Sequence, residues 1–386
     1  MATTSVTKGN ASEILQKQKK VMVAEGLDAL VAVAPESVIY TCGFVIPSLR
    51  IQGLHRRLAM TVVTPEQTNR DALVVVDMET STAKRGSKWF TDIRTYKEFE
   101  QEAAEVMADT LKEFGLSKGR IGIELDYLPA MDFEVLRTAL PSAEFVNANK
   151  IFLELRSVKT PEEIDRLRKA GRAADKAHLQ VTKQAKAGMT EMQVANLITE
   201  TMFKEGIEDI SVLIVASGER SVLPNVGPSP RVLTAGDIVR IDLLGHVGAY
   251  FSDVARTYIV GEPTAEQADI WDKLVKTLDA LKAEIRPGVT TKRIYEVFSN
   301  CFQRFNLPAT AFVGHGLGLS VHEHPWMSKF DRFERTIEEG MVLCVEPYYI
   351  AGKDGFQLED EIIVTHDGFE LITNQVDTRK LLRIAA

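Results

Sequence analysis

Four acids in this 386-residue chain fall into two matched pairs. Asp242 and Asp253 enclose the segment LLGHVGAYFS, and Glu346 and Glu359 enclose PYYIAGKDGFQL. Successive side chains in a strand point to opposite faces, so each pair can share one face of a hairpin. With Val247-Gly248 as a two-residue loop, Asp242 and Asp253 would lie directly opposite each other. With Gly352-Lys353 as the loop, Glu346 and Glu359 would do the same. Like charges opposed in a sheet are destabilising, and two adjacent buried carboxylates do not both stay ionised unaided. A divalent cation between them removes the conflict. A single acid at a strand end usually faces solvent. The pairing, and the apolar run Met341–Val345 that leads into Glu346, favour a metal instead.

Three of the seven histidines sit in one window, GHGLGLSVHEHP, as His315, His322 and His324. Glycines on both sides of His315 permit close approach to a ligand. One neutral imidazole added to four carboxylates makes an oxygen-rich set. That composition suits manganese, iron or cobalt better than a structural zinc site.

The elements that must position these groups come in two blocks. Ala11–Glu25 reads as a helix closed by Gly26, and Phe99–Phe114 as an amphipathic helix stopped by Gly115. Leu30–Val33, Leu58–Val63, Ala72–Val76, Ile121–Ile123 and Phe145–Val146 are short strands among them, which predicts an α/β layer over residues 1–156. Residues 157–386 read as α+β. Thr160, Pro161 and Glu163 open a long helix to about Ala185 with a capping box, and Glu191–Glu205 is a second helix. Strands Val212–Ala216, Ile238–Leu244 and Tyr250–Val260 follow, then helices Ala265–Glu284 and Lys292–Phe305. GDIVRID (236–242) is echoed by GMVLCVE (340–346), each with a glycine, an apolar strand and an acid six positions on, which hints at two related halves.

A net charge of −8 argues against nucleic acid or anionic membrane as the main partner. Three scattered cysteines give no disulfide framework, and no apolar run is long enough to span a bilayer. The first twenty residues hold no apolar core of a secretory signal, so a cytoplasmic protein is expected.

In order along the chain, DLLGHVGAYFSDVART, GHGLGLSVHEHP, VEPYY and GFQLED resemble the M24 peptidase family of prolidase, aminopeptidase P, methionine aminopeptidase and creatinase. The resemblance covers about residues 160–370. It implies a pita-bread catalytic domain after a smaller creatinase-like α/β domain, and two divalent ions, manganese foremost, with cobalt, iron or zinc as alternatives. Asp242 would chelate one ion and His315 the other. Asp253 and Glu359 would bridge them, and Glu346 would bind a metal and shuttle the proton of a bridging water. His322 would hydrogen-bond substrate or tetrahedral intermediate. An Xaa-Pro dipeptidase or aminopeptidase and a homodimer are implied.

Two departures bear on substrate. Asn225 stands where many members have a histidine, with His324 or His246 as possible substitutes. Gln357 stands where prolidase-like members have an arginine. Asn225, Gln357, His322 and His324 are therefore the candidate substrate-binding residues. The departures keep open a metal-dependent enzyme that cleaves a non-peptide small molecule, first a C–N amide and behind it a lyase. Leu244 occupies the place of an extra acid in a lyase branch of the fold. A metal-free binding module is a third reading. Tyr40, Arg50, His55 and Arg56 are candidates for a domain that closes over a partner's site. Trp326 is a candidate pocket wall, and Cys344 reads as a small buried hydrophobe.

Overall fold

The structure, a computed structural model, describes residues 8–50, 58–87 and 89–386. The chain divides into two compact units, Met1–Arg156 and Ser157–Ala386. No helix among the described residues is long and apolar enough to cross a membrane.

The first unit runs α1 (Lys8–Glu25), β1 (Ala29–Ala32), α2 (Pro35–Cys42), β2 (Met60–Val63), β3 (Ala72–Val76), α3 (Thr80–Gly86), β4 (Asp92–Tyr96), α4 (Ala103–Glu113), β5 (Arg120–Ile123), α5 (Ala130–Ala139), β6 (Glu144–Asn147) and α6 (Asn149–Ser157). Its six strands form one sheet in the order β4-β3-β2-β1-β5-β6. β1, β2 and β3 are buried along their whole length, as apolar runs interrupted only by Thr61 require. α4 starts later than its periodicity predicts. Phe99 is almost fully exposed with φ +69°, inside a turn closed on Lys97, and the Glu102–Glu105 capping box sets the true start. Tyr40 is a core residue whose hydroxyl donates to Leu155 O at 3.1 Å. Arg50 ends a 3-10 turn, Pro47–Arg50, while His55 and Arg56 lie outside the described residues.

The second unit is α+β, as expected, and is built twice over. α7 (Pro161–Gln184) and α8 (Glu191–Lys204) precede β7 (Asp209–Ser217), β8 (Ile238–Val247), β9 (Tyr250–Phe251) and β10 (Val254–Val260). α9 (Ala265–Glu284) and α10 (Thr291–Arg304) precede β11 (Phe312–Gly316), β12 (Glu323–Ser328), β13 (Val342–Val345), β14 (Tyr348–Ala351), β15 (Asp354–Gln357), β16 (Asp360–Val364), β17 (Phe369–Leu371) and β18 (Leu382–Ile384). Thr160, Thr190, Thr264 and Thr290 each N-cap one of the four helices through the side-chain oxygen. One sheet has the order β18-β10-β8-β7 and the other β12-β11-β13-β16-β17, each packed on its own helix pair.

The echo in the sequence is a structural repeat. Gly236 (φ +87°) donates its N–H to Val260 O, and Gly340 (φ +84°) donates to Val364 O, both at 2.9 Å. Gly188 (φ +85°) donates to Leu233 O and Gly288 (φ +91°) to Ile337 O. Each half thus turns once between its helices and once into its strands through glycines in the left-handed region, where a side chain would be strained.

The two hairpins differ in one respect from expectation. In the second, the strand pairs Tyr348↔Gln357 and Val345↔Asp360 place Glu346 and Glu359 at matching positions, as the Gly352-Lys353 loop predicts. In the first, the loop is Gly248-Ala249, both at positive φ, so Asp242 pairs with Ala255 and not with Asp253. The shift is two residues, so Asp253 stays on the face of Asp242, one step along. The strand predicted over Tyr250–Val260 is interrupted at Ser252 and Asp253. There Ser252 exchanges hydrogen bonds with the backbone of Gly245.

Candidate metal centre

The interruption in the first hairpin and the bend in the second deliver their acids to one place. Glu346 donates its N–H to Val313 O of β11, and Glu359 donates to Ala255 O of β10. At these two residues the long second hairpin stops bonding to itself and is stitched to neighbouring strands, which turns both carboxylates inward. His315, fully buried on β11, faces them. Its Nε2 lies 3.6 Å from Asp253 Oδ2 and 3.4 Å from Glu346 Oε1. Gly314 and Gly316 are needed for that approach: a Cβ on Gly314 would fall 2.3 Å from Cys344 O, and one on Gly316 2.2 Å from His324 O. The five residues Asp242, Asp253, His315, Glu346 and Glu359 therefore converge.

The electrostatics are those of an anion cluster without a counter-charge. Burial, and then Glu346, pushes the Asp242 carboxyl up to about 6. Burial, then Asp242 and Glu346, pushes Asp253 well above the usual carboxylate range. Burial and Asp253 do the same to Glu359. Asp242 Oδ1, both carboxylate oxygens of Glu359, and His315 Nε2 are buried with no hydrogen-bond partner among the described residues. Unmet buried acceptors are costly. His315 Nδ1 lies 3.0 Å from Gly316 O; a carbonyl only accepts, so Nδ1 carries the proton and Nε2 presents a lone pair to the cluster. Unpaired carboxylate oxygens and an oriented imidazole lone pair are the donor set a divalent cation takes. The residues present fit such an ion.

Sequence reasoning overlooked several residues that build this site. Cys344 is buried as expected, but its Sγ, with ligand atoms of Asp253, His315 and Glu359, falls in a group whose members all lie within 4.8 Å of one another. Glu361 accepts the Asp253 N–H at 2.6 Å and presses its other oxygen toward Gly171 of α7. Burial pushes its carboxyl well above the usual range. Arg240, two residues before Asp242 on β8, donates to Gln357 Oε1 at 2.8 Å. A charged residue inside the apolar run IVRIDLL was the available signal.

A cavity of about 550 Å³ opens over the cluster. Asp242, Asp253 and Glu346 form its floor, and Val212, Ile214, Leu244, Phe312 and Val321 an apolar wall. Asn225, Gln357, Arg240 and Tyr348 form a polar wall, and His322 also lines it. The His322 ring centroid is 4.2 Å from that of His315 and 5.2 Å from that of Trp326. Partial burial, and then His315, pushes its pKa down to about 4, so it is a neutral imidazole near pH 7. Of the expected substrate-facing residues, Asn225, His322 and Gln357 line this cavity. His324 and Trp326 are not among the lining residues; the His324 ring lies 6.1 Å from that of Phe333. His246 is at the far end of β8, its Nε2 3.5 Å from Asp209 Oδ2. Glu323, next to His322 at the start of β12, is fixed by a buried ion pair to Lys159 at 3.3 Å.

A doubled α+β unit with carboxylates and an imidazole gathered under a cavity defines a metal-dependent hydrolase. Residues 165–366 match metallopeptidase family M24, and residues 14–158 match the creatinase/prolidase N-terminal domain. The chain belongs to metallopeptidase family M24, with a creatinase-type N-terminal domain and a pita-bread catalytic domain. It is 37% identical over 254 residues to the probable dipeptidase PepE of Mycobacterium tuberculosis, covering 64% of this chain and 67% of that protein. It is 31% identical over 308 residues to the Xaa-Pro dipeptidase of Pyrococcus furiosus, covering 78% of this chain and 84% of that one. The crystal structure of dipeptidase PepE from Mycobacterium ulcerans superposes with a TM-score of 0.83 at 28% identity, over 97% of this chain and 98% of that one.

Proposed function

We propose that this protein hydrolyses Xaa-Pro peptides, with Asp242, Asp253, His315, Glu346 and Glu359 holding two divalent ions, manganese foremost. The observation that carries the proposal is the set of buried ligand atoms without hydrogen-bond partners on Asp242, His315 and Glu359, gathered with Asp253 and Glu346 beside the cavity. Bound there, the ions would supply an acidified water and a polarised scissile carbonyl. Glu346, which lines the cavity and is less buried than the other acids, would take a proton from the attacking water and return it to the leaving nitrogen. His322, neutral and held beside His315, donates an N–H toward the carbonyl oxygen as charge develops there. Asn225 hydrogen-bonds substrate from the polar wall, and the apolar wall takes a hydrophobic side chain or the proline ring. The protein is expected to work in the cytoplasm as a homodimer.

The test pairs metal analysis with a panel of Xaa-Pro dipeptides, longer Xaa-Pro peptides and small non-peptide amides. Stoichiometric divalent metal and chelator-sensitive cleavage of the Xaa-Pro peptides are expected. Cleavage of the amides alone would overturn the substrate, and a chain that takes up no divalent ion would overturn the centre.

A further inference from the structure

Arg240 is a buried cation with an unusual set of partners. Its side chain is 1% exposed, and burial lowers its pKa from the ordinary value. Its hydrogen bonds go to neutral oxygens. Nε donates to Ser221 O at 3.1 Å, and Nη2 to Leu223 O and to Pro224 O, the latter at 2.8 Å. Nη1 donates to Gln357 Oε1 at 2.8 Å. The Tyr348 ring lies 5.8 Å from the guanidinium carbon. Burying a guanidinium costs several kcal/mol unless its geometry is put to use.

The use is orientation. A glutamine amide can turn either end toward a neighbour. Arg240 offers only donors, so it captures the oxygen end of Gln357. That leaves Nε2 facing two acids of the cluster, Asp242 Oδ2 at 3.1 Å and Glu346 Oε2 at 3.4 Å. The same guanidinium holds three backbone carbonyls of segment 221–224, which leads directly into Asn225 on the cavity wall. One side chain therefore holds the loop directly and reaches the acids beneath the substrate space through Gln357.

We propose that Arg240 is a positioning residue that couples the Asn225 loop to Asp242 and Glu346 through Gln357, and so sets how tightly these acids hold a divalent ion. The proposal rests on the metal centre proposed above. It makes a prediction of sign. A cation acting only through its charge repels a metal, so its removal would tighten metal binding. A residue that positions the acids does the opposite on removal.

The experiment is calorimetric titration of Mn²⁺ into the metal-free full-length chain. Arg240→Met should bind Mn²⁺ at least about tenfold more weakly, in the range of losses at outer-sphere partners of metal ligands. Gln357→Leu should lose a similar factor, and the double variant no more than the larger single loss, because both act through one contact. Amide hydrogen exchange over 221–225 should quicken in Arg240→Met and stay at wild-type rates in Gln357→Leu. If Arg240→Met does not fold, Arg240→Lys serves: it keeps the charge but cannot span both partners, and should still bind Mn²⁺ more weakly. Unchanged or tighter Mn²⁺ binding in the folded variant, or losses that add in the double variant, would overturn the coupling while leaving the metal centre standing. A wild-type chain that binds no Mn²⁺ would overturn both.

Discussion

The two hairpins under the cavity are the same object with different residues at equivalent places. Equivalent positions keep a constant offset of 104 residues: 236 to 340, 242 to 346, 248 to 352, 260 to 364. Asp242 pairs with Ala255 in the first hairpin, and Glu346 stands opposite Glu359 in the second. Asp253 is then the equivalent of Gln357, and Thr257 of Glu361. The hydrogen bonds respect this: the Asp253 N–H goes to Glu361, and the Gln357 N–H goes to Thr257 Oγ1 at 2.9 Å. Ala255 and Glu359 meet each other across the join. The backbone is close to symmetric while the chemistry is not. The first half carries its second acid, Asp253, in its strand break; the second half carries an amide at the equivalent position, Gln357 at the end of β15, and its own second acid, Glu359, two residues further on in the break between β15 and β16. The lesson is that the repeat supplies converging positions, and the side chains chosen at them decide where charge is concentrated.

The largest test of that asymmetry is removal of one acid from each half. Asp253→Ala and Glu359→Ala should each lower kcat by more than the roughly 10–100-fold typical of outer-sphere losses. Both carboxyls are destabilised by burial and by neighbouring acids of the cluster, so each metal-free variant should melt at or above the metal-free wild type. Added Mn²⁺ should raise the melting temperature of the wild type and raise that of the variants far less. Near-full turnover in Asp253→Ala would mean that the first half does not contribute its second acid to the site.

Much of this was legible in the sequence, and the parts that were not share a cause. The helix Pro161–Gln184 carries its own cap in Thr160 and Glu163, and Ala265–Glu284 keeps its predicted limits, because the signals lie within a few residues of each end. The second hairpin's register follows from its glycine. The first was misread by two residues because an alanine, Ala249, takes a left-handed φ that sequence rules reserve for glycine or asparagine. Nothing nearby announces how α2 is capped: Glu124, about 90 residues on, accepts from Val33 N, Ala34 N and Ser37 Oγ. Arg240 is the same case at the site. Its meaning depends on Gln357, 117 residues away, so only the fold reveals it.

A tighter test of the contact between halves is Gly171→Ala. A Cβ there would lie 2.0 Å from Glu361 Oε2 and 2.8 Å from Ile372 Cγ2. Overpacking of this kind costs about 1–3 kcal/mol, measurable by urea unfolding. Glu361 would be pushed off the Asp253 N–H, so Mn²⁺ affinity should fall with stability; a drop in stability with unchanged affinity would separate Glu361 from the centre.

The first half should also be the acid-sensitive one. His178 on α7 is fully buried against Tyr258 OH (2.9 Å) and Val254 O (3.0 Å), and burial pushes its pKa from 6.5 down to about 3. The unfolded chain takes up a proton there below about pH 6.5 and the folded one does not until near 3. Stability from this group is full above that upper value and declines as pH falls through the window, by about 2 kcal/mol at pH 5. His178→Gln should flatten the pH dependence of unfolding between pH 7 and 5; an unchanged slope would contradict the assignment.

The smallest effect separates the hairpins most directly. Gly248 and Gly352 share φ near +60°, but the next residue differs: Ala249 has φ +71°, and Lys353 is not in the left-handed region. Left-handed alanine costs roughly 1–2 kcal/mol, and its buried methyl returns about 0.8. Glycine also adds about 0.4–1 kcal/mol of freedom to the unfolded chain, so Ala249→Gly should leave stability nearly unchanged. Lys353→Gly, which only adds freedom to the unfolded chain, should destabilise by about 0.4–1 kcal/mol. The same substitution at equivalent positions then leaves the urea midpoint nearly unchanged in the first hairpin and lowers it in the second. Equal shifts would mean that the turns do not differ and that the two-residue displacement of Asp253 has some other origin.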